Sequence, residues 1–161
     1  MPSMKILLIA GGWSSEREVS LTGARGMQEA LLKRGHAVTF FDLLENFDEL
    51  LETARQHDFA LINLHGSPGE DGLVQAMLEK AGCPYQGSGP SGSFLALNKA
   101  AAKQIFRMAG LPTADWEFLP VRPAEGWEPR LPWPLFVKTT TGGSSLRLGR
   151  ATNRQELDAL M

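Results

Sequence analysis

The hydrophobic pattern of the first ninety residues alternates between two periods. Residues 5–10, Lys-Ile-Leu-Leu-Ile-Ala, form a continuous apolar run, as expected of a strand buried on both faces. Leu21, Ala24, Met27, Ala30 and Leu31 then recur at helical spacing and predict a helix from near Ser20 to Lys33. Gly35 stands where a helix C-terminal glycine belongs. Residues 36–43 read as a second strand, and 47–56 as a second helix with Phe47, Leu50, Leu51 and Ala54 on one side. A third strand over 59–64, a third helix over 73–81 and a short fourth strand over 83–86 complete the series. Strands alternating with helices imply right-handed crossovers, and so an α/β fold with an open, doubly wound, mainly parallel sheet.

The pattern changes after the breaker-rich run Gly87-Ser88-Gly89-Pro90-Ser91-Gly92, which marks a domain boundary between 1–92 and 93–161. A long helix is predicted over 93–108, closed by Gly110 and Pro112. Residues 114–119 look like a strand, and 121–133, with their prolines, like an irregular connection. Residues 135–140 form a strand that runs into Thr141-Gly142-Gly143-Ser144-Ser145, with 146–151 as its antiparallel partner. Thr152-Asn153 would cap a last helix over 154–161. So short a helix is marginal unless it packs, and the expectation is a second domain that stops incomplete.

Composition narrows the classes. With 43% hydrophobic and 21% charged residues the chain suits a globular core rather than a disordered tail. A net charge of −2 and the lack of a basic run argue against nucleic acid as a partner. Cys83 is the single cysteine, which excludes an internal disulfide or a cysteine metal cluster; between Gly82 and Pro84 it reads as a small buried residue. The first apolar run is too short for a signal or a membrane span, so the expected location is cytoplasmic and away from membranes.

The chemistry gathers in three loops. His65-Gly66-Ser67-Pro68-Gly69-Glu70-Asp71-Gly72 joins the third strand to the third helix, where ligands bind in open parallel sheets. Asp71 or Ser67 could instead simply cap the helix, although that leaves His65 unexplained. Residues 11–20, Gly-Gly-Trp-Ser-Ser-Glu-Arg-Glu-Val-Ser, follow the first strand but contain no G-x-G-x-x-G. Glu16 and Glu18 would repel a pyrophosphate and suit a substrate ammonium, or could favour the positive helix end by about 0.3–1 kcal/mol each. Lys138 and the glycines and hydroxyls of 139–145 suit a polyphosphate, without the order of a Walker A loop. Lys99 and Lys103 share a helix face and either reach a phosphate or are solvated.

Together these segments resemble the D-alanine–D-alanine ligases of the ATP-grasp superfamily. The resemblance rests on residues 11–20, on H-G-S-P-G-E-D-G-L-V-Q at 65–75, P-Y-Q-G-S-G at 84–89 and N-K-A-A-A-K at 98–103. It extends through G-L-P-T at 110–113 and F-V-K-T-T-T-G-G-S-S at 136–145. It implies a Rossmann-like pre-ATP-grasp domain over 1–92 and an incomplete α+β ATP-grasp subdomain over 93–161. It implies joining of two D-alanines with ATP and Mg²⁺ through an acyl phosphate, for peptidoglycan. By the same resemblance Glu16 would hold the ammonium of the first D-alanine, with His65 beside that substrate and Glu70 and Asp71 ordering the loop. Lys99 and Lys138 would contact ATP phosphates. Gly143, Ser144 and Ser145 would lie over those phosphates, with Ser144 also bonded toward Glu16.

The chain departs from the family pattern at Asn98 for aspartate, Thr139 for proline, Arg147 for glycine and Ala76 for glycine. The family's Mg²⁺ carboxylates and asparagine, and its arginine for the tetrahedral intermediate, have no counterpart here. The expectation is a fragment or truncated form that is inactive alone; D-Ala-D-Ala made by the pure chain would overturn it. Related readings are a ligase of D-alanine with D-lactate and a non-catalytic binding module, with a Rossmann oxidoreductase more remote. An incomplete second domain further predicts disorder after about residue 90, or self-association as a homo-oligomer that covers apolar faces.

Overall fold

The computed structural model describes residues 2–124, 126–143 and 148–161. Two compact units divide the chain, Met1–Leu95 and Ala96–Met161.

In the first unit, β1 (Lys5–Ala10) lies between β2 (Ala37–Asp42) and β3 (Phe59–Ile62), and both pairings are parallel. Leu8 sits opposite Phe40 on one side and Leu61 on the other. The unbroken apolar run of β1 reflects this central place, since both of its faces are covered. Leu7 and Ile9 join Phe41, Leu43, Leu50, Leu64, Val74 and Leu78 in one core cluster, while Leu8 and Ala10 pack with Ala24 in another. Each fully buried Leu or Ile contributes about 1.5–3 kcal/mol of burial free energy.

Helix α1 (Arg17–Lys33) starts three residues before the expected Ser20, and Gly35 ends it at φ 83°. The expected helix over 47–56 is instead three pieces: α2 (Leu43–Asn46), a 3₁₀ turn (Phe47–Glu49) and α3 (Leu50–Ala54). Asp42 causes the early start, because its side chain accepts from Leu44 N at 3.1 Å and nucleates a helix directly from the strand end. Helix α4 (Leu73–Ala81) has the predicted bounds. The expected fourth strand reduces to one parallel bridge, Ala60 with Tyr85. Pro84 has no N–H to give a ladder. Gln86 substitutes its side-chain amide, accepting from Ile62 N at 3.0 Å and donating to Ile62 O at 2.6 Å.

The expected single helix over 93–108 is two, α5 (Pro90–Leu97) and α6 (Lys99–Met108). Asn98 breaks it by adopting an extended conformation and accepting from Ala101 N at 3.0 Å as an N-cap. The expected strand over 114–119 is not formed. Among the described residues no strand pairs with that segment, which is held by side chains: Lys103 Nζ donates to Thr113 Oγ1 (2.8 Å) and Ala114 O (2.7 Å), and Trp116 lies under Lys103 and Arg107. Strands β4 (Leu135–Val137) and β5 (Gly149–Ala151) pair antiparallel, Leu135 opposite Ala151. Helix α7 (Arg154–Leu160) is capped by Asn153, which accepts from Glu156 N at 3.0 Å. Ala151 and Leu157 are the second unit's fully buried hydrophobic side chains among the described residues, while Phe118 and Phe136 stay more than half exposed.

Candidate active site

The carboxyl ends of β1 and β3 are bound together by a buried hydroxyl. Ser20 Oγ accepts from Gly11 N at 2.8 Å and donates to Asn63 O, while the Asn63 amide donates to Ser20 O at 2.7 Å. The loops after the two strands therefore leave the sheet side by side. A Cβ on Gly12 would lie 3.3 Å from Leu64 Cδ2 and 3.5 Å from Pro68 Cδ. A Cβ on Gly66 would lie 3.4 Å from Ser14 Cβ and 3.9 Å from Glu16 Oε2. Glu16, at the start of α1, is thus brought to the backbone beside His65. Ser14 braces this turn by accepting from Glu16 N at 3.2 Å. Glu18 points out from the first turn of α1 and is exposed.

A second brace comes from β2. Arg17 donates from Nη1 to Asp42 Oδ1 at 2.7 Å and from Nη2 to Oδ2 at 2.6 Å, a bidentate pair, and Nη1 also reaches Gly12 O at 3.3 Å. The Arg17 hydrogen bonds hold the Asp42 carboxyl below the ordinary carboxylate range, against partial desolvation, and Asp42 in turn holds the guanidinium above its ordinary value. The sequence reading passed over Arg17, Asp42 and Asn63. One signal was available: Asp42 and Asn63 both stand where an apolar strand gives way to a loop.

Within the third loop, Glu70 Oε2 accepts from Gly66 N at 3.0 Å, and Glu70 N donates to Gly66 O at 2.8 Å, closing the turn. Asp71 accepts from Leu73 N at 3.0 Å and from the Ser67 hydroxyl. Both carboxylates therefore order the loop, and Asp71 also satisfies the first backbone N–H of α4, whose N-cap position is Gly72. Gly69 packs so closely on Leu64 that a side chain there would collide with the Leu64 Cβ, and buried Gln75 donates to Gly69 O at 2.6 Å. His65 is half-buried and makes no hydrogen bond among the described residues.

In the second unit Lys99 Nζ donates to Gly142 O at 2.6 Å, and Lys99 N to Thr140 O at 2.8 Å. Lys99 thus lies against the glycine loop, within reach of Gly143, which is exposed. Lys138 is exposed at the end of β4. Lys103 is spoken for by Thr113 and Ala114 and takes a structural part. Ser144, Ser145 and Arg147 lie outside the described residues. As for Mg²⁺, among the described residues no three His, Cys, Asp or Glu side chains gather as a metal site, so the carboxylate set that such an ion needs is not met. No described helix is long and apolar enough to cross a membrane.

The first unit is an open parallel α/β sheet with an acidic and a histidine-bearing loop at its strand ends, residue types suited to a small cation; the second unit by itself carries a lysine-held glycine loop, residue types suited to a polyphosphate. No family model matches the chain. In sequence and fold it is similar to part of the D-alanine–D-alanine ligases. It is 77% identical over 158 residues to the D-alanine–D-alanine ligase of Desulfovibrio desulfuricans, covering 98% of this chain and 52% of that protein. It is 68% identical over 154 residues to that of Nitratidesulfovibrio vulgaris, covering 96% of this chain and 51% of the relative. Among solved structures, the D-alanine–D-alanine ligase of Bacillus anthracis complexed with ATP superposes with a TM-score of 0.85 at 36% identity, over 98% of this chain and 53% of that one. The chain spans about half the length of the curated relatives it matches.

Proposed function

We propose that this chain carries the first-substrate site and part of the ATP site of a D-alanine–D-alanine ligase. The observation that supports this best is the approach of Glu16 Oε2 to the backbone of Gly66, which sets a carboxylate beside His65 at the mouth of the sheet. A carboxylate there suits the ammonium of a small zwitterion. In the reaction, the carboxylate of one D-alanine takes the γ-phosphoryl group of ATP and ADP leaves. The amine of the second D-alanine then attacks the acyl carbon, loses a proton and expels inorganic phosphate. Glu16 and His65 would orient the first D-alanine, while Glu70 and Asp71 keep their loop in shape. Lys99, Lys138, Gly143, Ser144 and Ser145 would hold the ATP phosphates, with Lys99 exchanging its carbonyl partner for a phosphate oxygen. Such catalysis is mainly positioning and charge neutralisation. Mg²⁺ would add further phosphate neutralisation, but the described residues gather no carboxylate set to hold it. A role in peptidoglycan precursor synthesis with ATP and D-alanine would be carried out in the cytoplasm.

Titration of the chain with D-alanine tests the reading by calorimetry. Binding should weaken roughly tenfold to a hundredfold in Glu16→Gln, the loss of one charge-assisted contact. Equal affinity in the two proteins would remove Glu16 from the site.

A further inference from the structure

Glu16 is followed directly by a cation. Arg17 carries a full positive charge one residue from the carboxylate proposed to hold an ammonium. A free guanidinium there would be an internal competitor for that carboxylate, with a planar fork well matched to it. The structure shows where this charge goes. Asp42, at the end of β2, takes both terminal nitrogens of Arg17 in a bidentate pair, and the side chains are only 24% and 13% exposed. The pair lies directly over Gly11: a Cβ on that glycine would collide with Arg17 Nη1 and stand 2.6 Å from Asp42 Oδ1. The remaining contact of Nη1 is the Gly12 carbonyl.

We propose that Asp42 is a positioning and specificity-determining residue for the ammonium site: it confines and neutralises the Arg17 charge, so that the net negative charge of the first loop remains with Glu16. This rests on the reading of Glu16 as the ammonium acceptor. Two features favour a charge role over simple bracing. The brace on the loop is already supplied by Ser20, Ser14 and the Gly12–Leu64 packing. The helix-capping task of Asp42 toward Leu44 needs an oxygen acceptor but no charge. What aspartate adds over asparagine at this place is its negative charge. If Asp42 were neutral, the guanidinium would be left with the weaker attraction of Glu45 and Glu18, the other carboxylates that act on it. Wherever it settles, the site gains one unit of positive charge within a screening length of the ammonium.

The test compares four forms of the full chain, wild type, Asp42→Asn, Arg17→Met/Asp42→Asn and Glu16→Gln, by calorimetric titration with D-alanine and by thermal unfolding. Asp42→Asn keeps the cap and should weaken D-alanine binding about tenfold, a loss that shrinks as salt is added. The double variant removes the loose charge and should bind within about threefold of wild type, although its unfolding temperature falls as much as that of the single variant. Unchanged affinity in Asp42→Asn, or a double variant as weak as the single one, overturns the proposal while leaving Glu16 in place. Wild-type affinity in Glu16→Gln, or no binding by the wild type, overturns the ammonium site itself and this proposal with it.

Discussion

Ser20 and Asn63 hold each other twice: the serine hydroxyl donates to the asparagine carbonyl, and the asparagine amide donates back to the serine carbonyl at 2.7 Å. Ser20 is fully buried, and its Oγ also satisfies Gly11 N. One hydroxyl thus links the ends of β1 and β3, which carry the two loops of the site. Ser20→Ala should cost about 1–3 kcal/mol, because Gly11 N and Asn63 O then lose their partner in a dry place. Urea unfolding would measure this, and a loss below about 0.5 kcal/mol would show that the linkage is not needed.

Gly72 and Gly82 flank α4 with similar backbones, φ 93° and 74°, in opposite surroundings. A Cβ on Gly72 would collide with the Pro90 carbonyl, whereas one on Gly82 meets nothing within 4 Å. Gly82→Ala should therefore cost only left-handed strain, about 1 kcal/mol. Gly72→Ala adds a backbone clash and should cost about 2–4 kcal/mol. Equal losses in parallel denaturant titrations would mean that the Pro90 contact yields freely.

How far the sequence was readable follows from where each signal came from. The bounds of β1 and α4 were legible because burial on both faces, or on one helical face, writes a period into the side chains. The 42–54 region was not, because a single side-chain cap at Asp42 overrode the apolar spacing and broke the helix into pieces. Residues 114–119 show the reverse error. Their alternation suits a strand, but a strand needs a neighbour; here Lys103 donates to the Ala114 carbonyl, and the Glu117 side chain accepts from Leu131 N at 3.1 Å. At the site, residue types placed Glu16 and His65 on neighbouring loops. The braces Arg17–Asp42 and Ser20–Asn63 join residues 25 and 43 positions apart, and no local pattern announces such pairs.

Asn98 departs from the aspartate usual in the family pattern, yet it performs a cap, accepting from Ala101 N ahead of Lys99. Asn and Asp rank together at this position. Asn98→Asp should leave α6 intact, and Asn98→Ala should cost about 0.5–2 kcal/mol and fray the first turn. Amide hydrogen exchange at residues 99–102 reads this directly. Faster exchange in Asn98→Asp than in wild type would show that the amide does something that the carboxylate cannot.

The Arg17–Asp42 pair also predicts how the fold meets acid. The Asp42 carboxyl titrates lower in the folded chain than in the unfolded one, chiefly through its hydrogen bonds to Arg17. A depressed carboxyl contributes stability that is fully present above the unfolded value, about 3.9. That contribution is lost as pH falls through the lower folded value, because the unfolded chain takes up the proton first. Wild type should therefore lose stability steadily below about pH 4. Asp42→Asn, which has no proton to take up there, should start less stable at neutral pH and show a shallower decline on acidification. Denaturant midpoints for the two proteins between about pH 6 and pH 2.5 give the comparison. Parallel curves across that range would mean that Asp42 titrates alike in both states, and that the ion pair adds nothing to the fold.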